Sequence, residues 1–305
     1  MQPAVVGHGF PLVTLRPFMH RYSEAFFLPV DEGRSGQRFC LFHPAQSEAP
    51  RGSVLYVHPF AEEMNKSRRM AALQARALAR AGYAVLQMDL LGCGDSSGHF
   101  GDATWGDWVT DVGYGCQWLR DRSDAPLWMW GLRAGCLLAA EAAQRLVSPC
   151  HFLFWSPIAA GKTQWQQFLR LKVAGDMLGG NAKGVSEGLR QQLAAGTSIE
   201  VAGYLVSPGL AHGLEQAMLA PPHAVPLDGP PRLEWFELST REDATLSPVA
   251  LKTATQWEQA GFAVRSHVVN GPSFWQTTEI EDAPTLISAT LAAVRHLPQT
   301  QGTSL

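Results

Sequence analysis

From Ser53 onward, short apolar runs alternate with segments whose apolar residues recur every three or four positions. Val54–Val57 is a continuous apolar run of the kind buried on both faces of a parallel sheet. A helix is predicted next, with Met70, Leu73, Ala77, Leu78 and Ala81 on one stripe, closed by Gly82. The alternation continues as strand Ala84–Met88, helix Trp105–Arg120, strand Leu127–Trp130, helix Ala134–Val147 and strand Phe152–Trp155. Upstream, Ala25–Val30 and Arg38–His43 flank a Gly-containing polar stretch and read as an antiparallel hairpin. Residues 159–230 break the rhythm and end in Pro221-Pro222 through Pro230-Pro231. It then resumes with Leu233–Leu238, a helix over Pro248–Ala260, Ala263–Val269 and a helix over Pro284–His296, before a short tail after Leu297. The expected fold class is α/β: a mostly parallel, doubly wound sheet with an N-terminal antiparallel hairpin. Residues 1–158 and 231–305 would form the core, and 159–230 a helical cap inserted after the sixth strand.

Composition narrows the function classes. The chain has 305 residues, 17% of them charged, and a formal net charge of −3. That balance disfavours disorder, coiled coil and nucleic-acid binding. No apolar run approaches the roughly 20 residues of a membrane span, and Met1–Tyr22 lacks the basic start and apolar block of a signal peptide. Five widely spaced cysteines without a Cys-x-x-Cys pair point to a reduced, cytoplasmic protein without structural zinc. No metal or cofactor is expected: metal-ligand spacing, a dinucleotide fingerprint and a phosphate loop are all missing. Of the ten tryptophans, most are expected in the core, with an aromatic-lined pocket as the sharper alternative. The run Lys66-Ser67-Arg68-Arg69 reads as a solvated helix face.

In open parallel sheets ligands bind beyond the carboxyl ends of the strands, and the loops there are informative. His58-Pro59-Phe60-Ala61-Glu62-Glu63 follows the third strand, and Asp89-x-x-Gly-x-Gly-x-Ser-x-Gly the fourth. Gly131-x-x-x-Gly135 joins a strand directly to a helix, while Ser239–Asp243 and Asn270–Trp275 follow the closing strands. These loops, in this order, resemble those of the α/β-hydrolases over nearly the whole chain from Ser53. More narrowly, His58 through Arg69, Gly131-Leu132-Arg133 and Phe274-Trp275-Gln276 resemble the exosortase A system-associated hydrolase 2 family. That resemblance implies a bacterial setting in exopolysaccharide metabolism and an ester or acyl hydrolase by fold, without naming a substrate.

The resemblance also shows what is different. The nucleophile elbow Gly-x-Ser-x-Gly carries Arg133 in its middle, and a guanidinium has no free lone pair for attack. The position of the family's histidine falls at or near Phe274, while His267 lies earlier, within a strand, and is expected to be structural. The acid position is open to Asp243 or Glu242. An ordinary serine mechanism is thus excluded. A displaced arrangement would use Cys93 as nucleophile, His58 as base with Glu62 or Asp89 orienting it, and Asp243 in the acid position; the alternative is a packed loop cysteine. Arg133, at the amino end of a helix, calls for an anion: Glu62, Glu63 or Glu279 as a buried partner, or an anionic ligand held by the guanidinium fork. The expected pocket residues are Arg133, Glu62, Glu63, Phe60, Leu132, Ser156, Phe274 and Trp275. The leading function is an ester- or acyl-directed hydrolase with a rearranged site; the alternatives are a non-catalytic pseudo-hydrolase binding an anionic saccharide or acyl ligand, and a scaffold. The expected partners are small molecules, with a homodimer left open.

Overall fold

The computed structural model describes residues 22–31, 35–146, 149–178, 185–223, 225 and 229–295. The expected turn at 32–34 and the tail after Leu297 lie outside the described residues. The core begins β1 (Glu24–Val30), β2 (Gly36–His43), β3 (Gly52–Val57), α1 (Glu62–Arg80) and β4 (Tyr83–Met88). It continues α2 (Trp105–Arg120), β5 (Leu127–Leu132), α3 (Ala134–Arg145) and β6 (His151–Trp155). An insertion follows, with α4 (Gly161–Leu178), α5 (Val185–Ala194), β7 (Ile199–Val201), β8 (Tyr204–Val206) and α6 (Pro208–Gln216). The chain then returns to the sheet through β9 (Arg232–Ser239), α7 (Pro248–Gln259), β10 (Ala263–Asn270) and α8 (Pro284–Arg295).

Eight strands form one sheet in the order β1-β2-β4-β3-β5-β6-β9-β10. Only the β1–β2 and β2–β4 pairings are antiparallel. β3 and β5 are buried at every position, as expected of strands covered on both faces. One apolar layer packs α2, α3, α7 and the insertion against the sheet; the other packs α1 and α8. Trp108, Trp130, Trp155, Trp235 and Trp257 are fully buried, so these large rings fill the interior.

Two features depart from the sequence pattern. α1 starts at Glu62, eight residues before the apolar stripe begins at Met70, so most of the predicted loop after β3 is helix. Its buried positions there include Glu63 and Ser67, and polar residues on the inner face hide the helical period. Glu62 and Glu63 nonetheless suit the electropositive end of a helix. Second, the insertion is not purely helical: β7 and β8 pair as a hairpin turned by Ala202 and Gly203, both at positive φ. Three-residue strands are too short to show a period.

β9 and β10 meet α8 through charge. Glu234, fully buried, accepts from Arg232 at 2.6 Å, pairs with Arg265 at 2.8 Å, and lies 2.9 Å from His267. Both arginines also donate to the Ala293 carbonyl at 2.7 Å, which anchors the carboxyl end of α8. His267 is therefore part of a structural network, stacked on Phe236.

α3 lies so close to β3 that a Cβ on Gly135 would stand 2.2 Å from the Val57 carbonyl oxygen. Gly135→Ala is expected to destabilise the fold by about 1–3 kcal/mol in denaturant melts, as an overpacked contact that backbone cannot relieve. Gly113, inside α2, has open space around its Cβ position. Gly113→Ala should instead stabilise by about 0.5–1 kcal/mol through helix propensity. Equal effects would show that backbone entropy, rather than the α3–β3 approach, governs both sites.

Candidate functional site

The site forms where β3, β5 and β6, neighbours in the sheet, reach their carboxyl ends. Each of these three ends carries a non-glycine residue at positive φ: Ala61 at 50°, Arg133 at 55° and Ser156 at 42°. Such conformations cost of order 1–3 kcal/mol each and gather where the surrounding structure holds them for a purpose. At the elbow, the tight strand-to-helix turn leaves no room for side chains. A Cβ on Gly131 would come within 2.7 Å of the Cys136 backbone. Arg133, with ψ −121°, caps α3, and no side chain satisfies that helix's first amides; Ala61, with ψ −125°, opens α1 in the same way. Two helix amino ends without a side-chain cap thus converge on one corner, a setting that favours negative charge.

Yet the side chain placed there is a cation. Arg133 is only 13% exposed. Its Nε faces Glu63 Oε1 at 3.5 Å, and its Nη2 donates to Gln164 Oε1 at 3.3 Å and Gln167 Oε1 at 3.1 Å. The guanidinium carbon sits 5.4 Å from the centre of the Trp275 ring. Of the three carboxylates open from the sequence, Glu63 is therefore the partner. Its carboxyl is buried, and Oε2 has no hydrogen-bond partner among the described residues. Burial pushes its pKa up from 4.5 to about 7 despite the pull of Arg133. Glu62 is also raised by burial, with Lys66 pulling the other way.

Three participants lie outside the sequence expectations. Gln164 and Gln167 come from α4, and their i, i+3 spacing, visible in the sequence, puts both on one helix face. Glu237, on β9, accepts from Trp235 Nε1 at 3.0 Å. Burial raises it, while the field of Arg133 lowers it.

The residues singled out as a displaced catalytic set are not joined: no hydrogen bond links His58, Cys93 and Asp243 among the described residues. His58 is buried, with Nδ1 2.9 Å from the Pro59 carbonyl and Nε2 3.3 Å from the Leu90 amide. The amide must donate, so Nε2 accepts and the ring proton sits on Nδ1, bonded to Pro59. Burial lowers the pKa of this neutral, fully engaged ring. Cys93 is 4% exposed, and burial followed by the nearby Asp89 and Asp111 charges pushes its thiol well above the ordinary range. That is the reverse of an activated thiolate. Asp89 pairs with Arg68 at 3.2 Å rather than orienting His58. Asp243 is exposed and bound to Arg241 at 3.3 Å, and Glu242 is exposed as well. In this structure the three side chains are engaged separately, His58 with backbone, Cys93 in packing and Asp243 with Arg241.

Other expected pocket residues fall around the elbow. Phe274 is 1% exposed and packs edge-on against Trp155 and Trp275. Phe60 meets Phe168 of α4 at 5.0 Å, Leu132 is buried at the end of β5, and Ser156 donates its amide to the Phe236 carbonyl at 2.6 Å. Among the described residues, no group of three or more His, Cys, Asp or Glu is disposed to hold a metal ion, and no helix is long and apolar enough to cross a membrane.

The raised Glu63 carboxyl sets a pH dependence. Between about pH 4.5 and 7 the folded chain keeps a proton that the unfolded chain has lost. Its contribution to stability is therefore complete at low pH and lost as pH rises through about 7. The stability of the native protein minus that of Glu63→Gln should fall by about 3 kcal/mol from pH 4.5 to pH 8. A difference that stays level would show an ordinary carboxyl. Arg133→Ala should lower stability by about 3–5 kcal/mol at pH 8, where Glu63 is left as an uncompensated buried charge, and by less at pH 5. An unchanged melting midpoint at both values would show that Arg133 and Glu63 are not coupled.

Residues 48–184 match the family model described as serine aminopeptidase, S33. No curated protein matches the chain in sequence. Solved structures do match. A thermostable carboxyl esterase from Bacillus coagulans, in complex with glycerol, has a TM-score of 0.60 at 13% identity, over 90% of this chain and 98% of its own. Est1E from Butyrivibrio proteoclasticus has a TM-score of 0.57 at 12% identity, over 88% of this chain and 97% of its own. XC6422 from Xanthomonas campestris, described as an α/β serine hydrolase without a lid, has a TM-score of 0.52 at 15% identity, over 93% and 99%. At these identities the likeness concerns architecture, and it agrees with the sheet order and the elbow: the chain has the α/β-hydrolase fold.

Proposed function

We propose that this protein is a pseudo-hydrolase, an α/β-hydrolase-fold protein that binds an anionic saccharide or acyl ligand at its elbow without hydrolysing it. The carrying observation is Arg133, a cation in the strained elbow position between uncapped helix ends, with one buried carboxylate beside it at 3.5 Å. With Phe274 buried at the histidine position and His58 locked to backbone, no histidine among the described residues serves that corner. Because burial raises the Glu63 carboxyl to about 7, it compensates the guanidinium less as pH falls below neutrality. An incoming carboxylate or phosphate supplies the missing charge, and the Arg fork suits either. Cytoplasmic residence is supported by the five free, buried cysteines. The resemblance of the His58–Arg69, Gly131–Arg133 and Phe274–Gln276 strings to the exosortase A system-associated hydrolases supports a ligand from exopolysaccharide metabolism. The alternative reading is an ester or acyl hydrolase in that same setting, supported by the esterase names among the structural relatives. It requires a nucleophile other than residue 133.

The two readings separate in one experiment. A panel of short- and medium-chain p-nitrophenyl esters should show no turnover above buffer, and fluorophosphonate probes should leave the protein unlabelled. Arg133→Ser alone should not create an esterase, because no histidine stands ready. Uronic acids and short acyl carboxylates should raise the melting temperature of the native protein more at pH 6 than at pH 8, and not that of Arg133→Gln. Ester turnover that disappears in Cys93→Ala or His58→Ala would establish the hydrolase instead.

A further inference from the structure

On the α1 side of the sheet, away from α3, lies a cavity of about 190 Å³ bounded by α1, β2, β3 and β4. It lies where the antiparallel hairpin extends the sheet past α1, which faces the gap with the small side chains of Ala71 and Ala72 beside Met64 and Arg68. Phe39 and Leu41 from β2, Met88 from β4 and Met64 from α1 form its apolar walls, with Gln87 of β4 and His58 after β3 beside them. Into this space projects one phenol. Tyr56 is 6% exposed, its ring is held against Trp130 at 4.4 Å, and its hydroxyl makes no hydrogen bond to any described residue. The hydroxyl is not among the fully enclosed polar atoms, so it is open to an occupant of the cavity. The charged residues at the rim cancel: Arg68 reaches both Asp89 oxygens, at 3.2 and 3.3 Å.

We infer that this cavity is a second binding site, distinct from the elbow, for a small uncharged molecule with an apolar body and one hydroxyl or carbonyl. Size, wall chemistry and charge each restrict the occupant. An apolar cavity of about 150 Å³ suffices for benzene, so this one accepts a single ring with a substituent or a chain of similar bulk. The apolar walls take the body, and the Tyr56 hydroxyl, able to donate and accept, takes the polar group. A charged ligand is disfavoured because the Arg68–Asp89 pair has no unmatched charge to offer, and an anion would face Asp89 directly. The inference is independent of the elbow reading, since none of the residues contacting Arg133 lines this cavity.

Titration calorimetry with p-cresol, toluene, benzoate and benzylamine tests it on the full chain. p-Cresol should saturate with a Kd of about 1 mM or tighter. Tyr56→Phe, which keeps the ring against Trp130, should weaken p-cresol severalfold and leave toluene unchanged. Ala72→Leu, at a half-buried helix position, should fill the cavity and abolish binding of both; if that variant does not fold, Leu41→Trp fills it from the opposite wall. Benzoate and benzylamine should bind more weakly than p-cresol. No saturation by p-cresol, binding that survives the cavity-filling variant, or a preference for either charged ligand would overturn the inference. Arg133→Gln should leave p-cresol affinity unaltered, and loss of binding in that variant would place the ligand at the elbow instead.

Discussion

The close approach of α3 to β3 at Gly135 sets the geometry on which the site depends. With no side chain between them, the helix starts directly at the end of β5, and the turn that joins them has room for one residue only in a left-handed conformation. That residue, Arg133, is thereby lifted above the strand ends and aimed at the corner where α1 and α3 both begin. The fold thus fixes the position of the residue before its chemistry is chosen. The same rigid turn that would expose a hydroxyl in a serine hydrolase here exposes a guanidinium.

A guanidinium between two helix amino ends is electrostatically misplaced unless something answers it. Glu63 does so in part, and its own burial weakens the answer by holding its proton to near-neutral pH. The corner therefore holds two groups, each made unfavourable alone by position and made tolerable together. Such a pair contributes less to stability than to defining a local field. Glu234 on β9 is the contrasting case: with Arg232, Arg265 and His267 around it, its carboxyl is held below its ordinary value, and the cluster is fully matched. One buried carboxylate is saturated with donors and structural; the other is undersupplied and lies at the elbow.

Much of this was legible in the residues. The alternation from Ser53 delivered the sheet, because strands buried on both faces leave uninterrupted apolar runs, and the glycine frame at 131 and 135 located the elbow. The start of α1 was hidden because Glu63 and Ser67 are buried polar residues, which periodicity counts as exposed. Glu63 could be shortlisted as a partner of Arg133 but not chosen over Glu62 or Glu279, since the choice rests on the helix phase. Gln164 and Gln167 were out of reach: they act across the insertion, and a neutral amide on a helix carries no chemical signature of its own. The engagement of His58 and the burial of Cys93 are likewise tertiary facts, set by Leu90 and by the packing of the loop after β4.

The two glutamines carry a consequence for motion. Gln164 and Gln167 belong to α4, so the guanidinium that marks the elbow also fastens the insertion to the core. Its Nη2 edge serves both glutamines, and an occupant that takes this edge must displace them. Occupancy of the elbow and attachment of α4 are therefore competing claims on one donor edge. By thermodynamic reciprocity, whatever loosens α4 strengthens the grip of Arg133 on an occupant by the same factor. The one donor edge that an elbow ligand would need is thus the edge that fastens the insertion to the core.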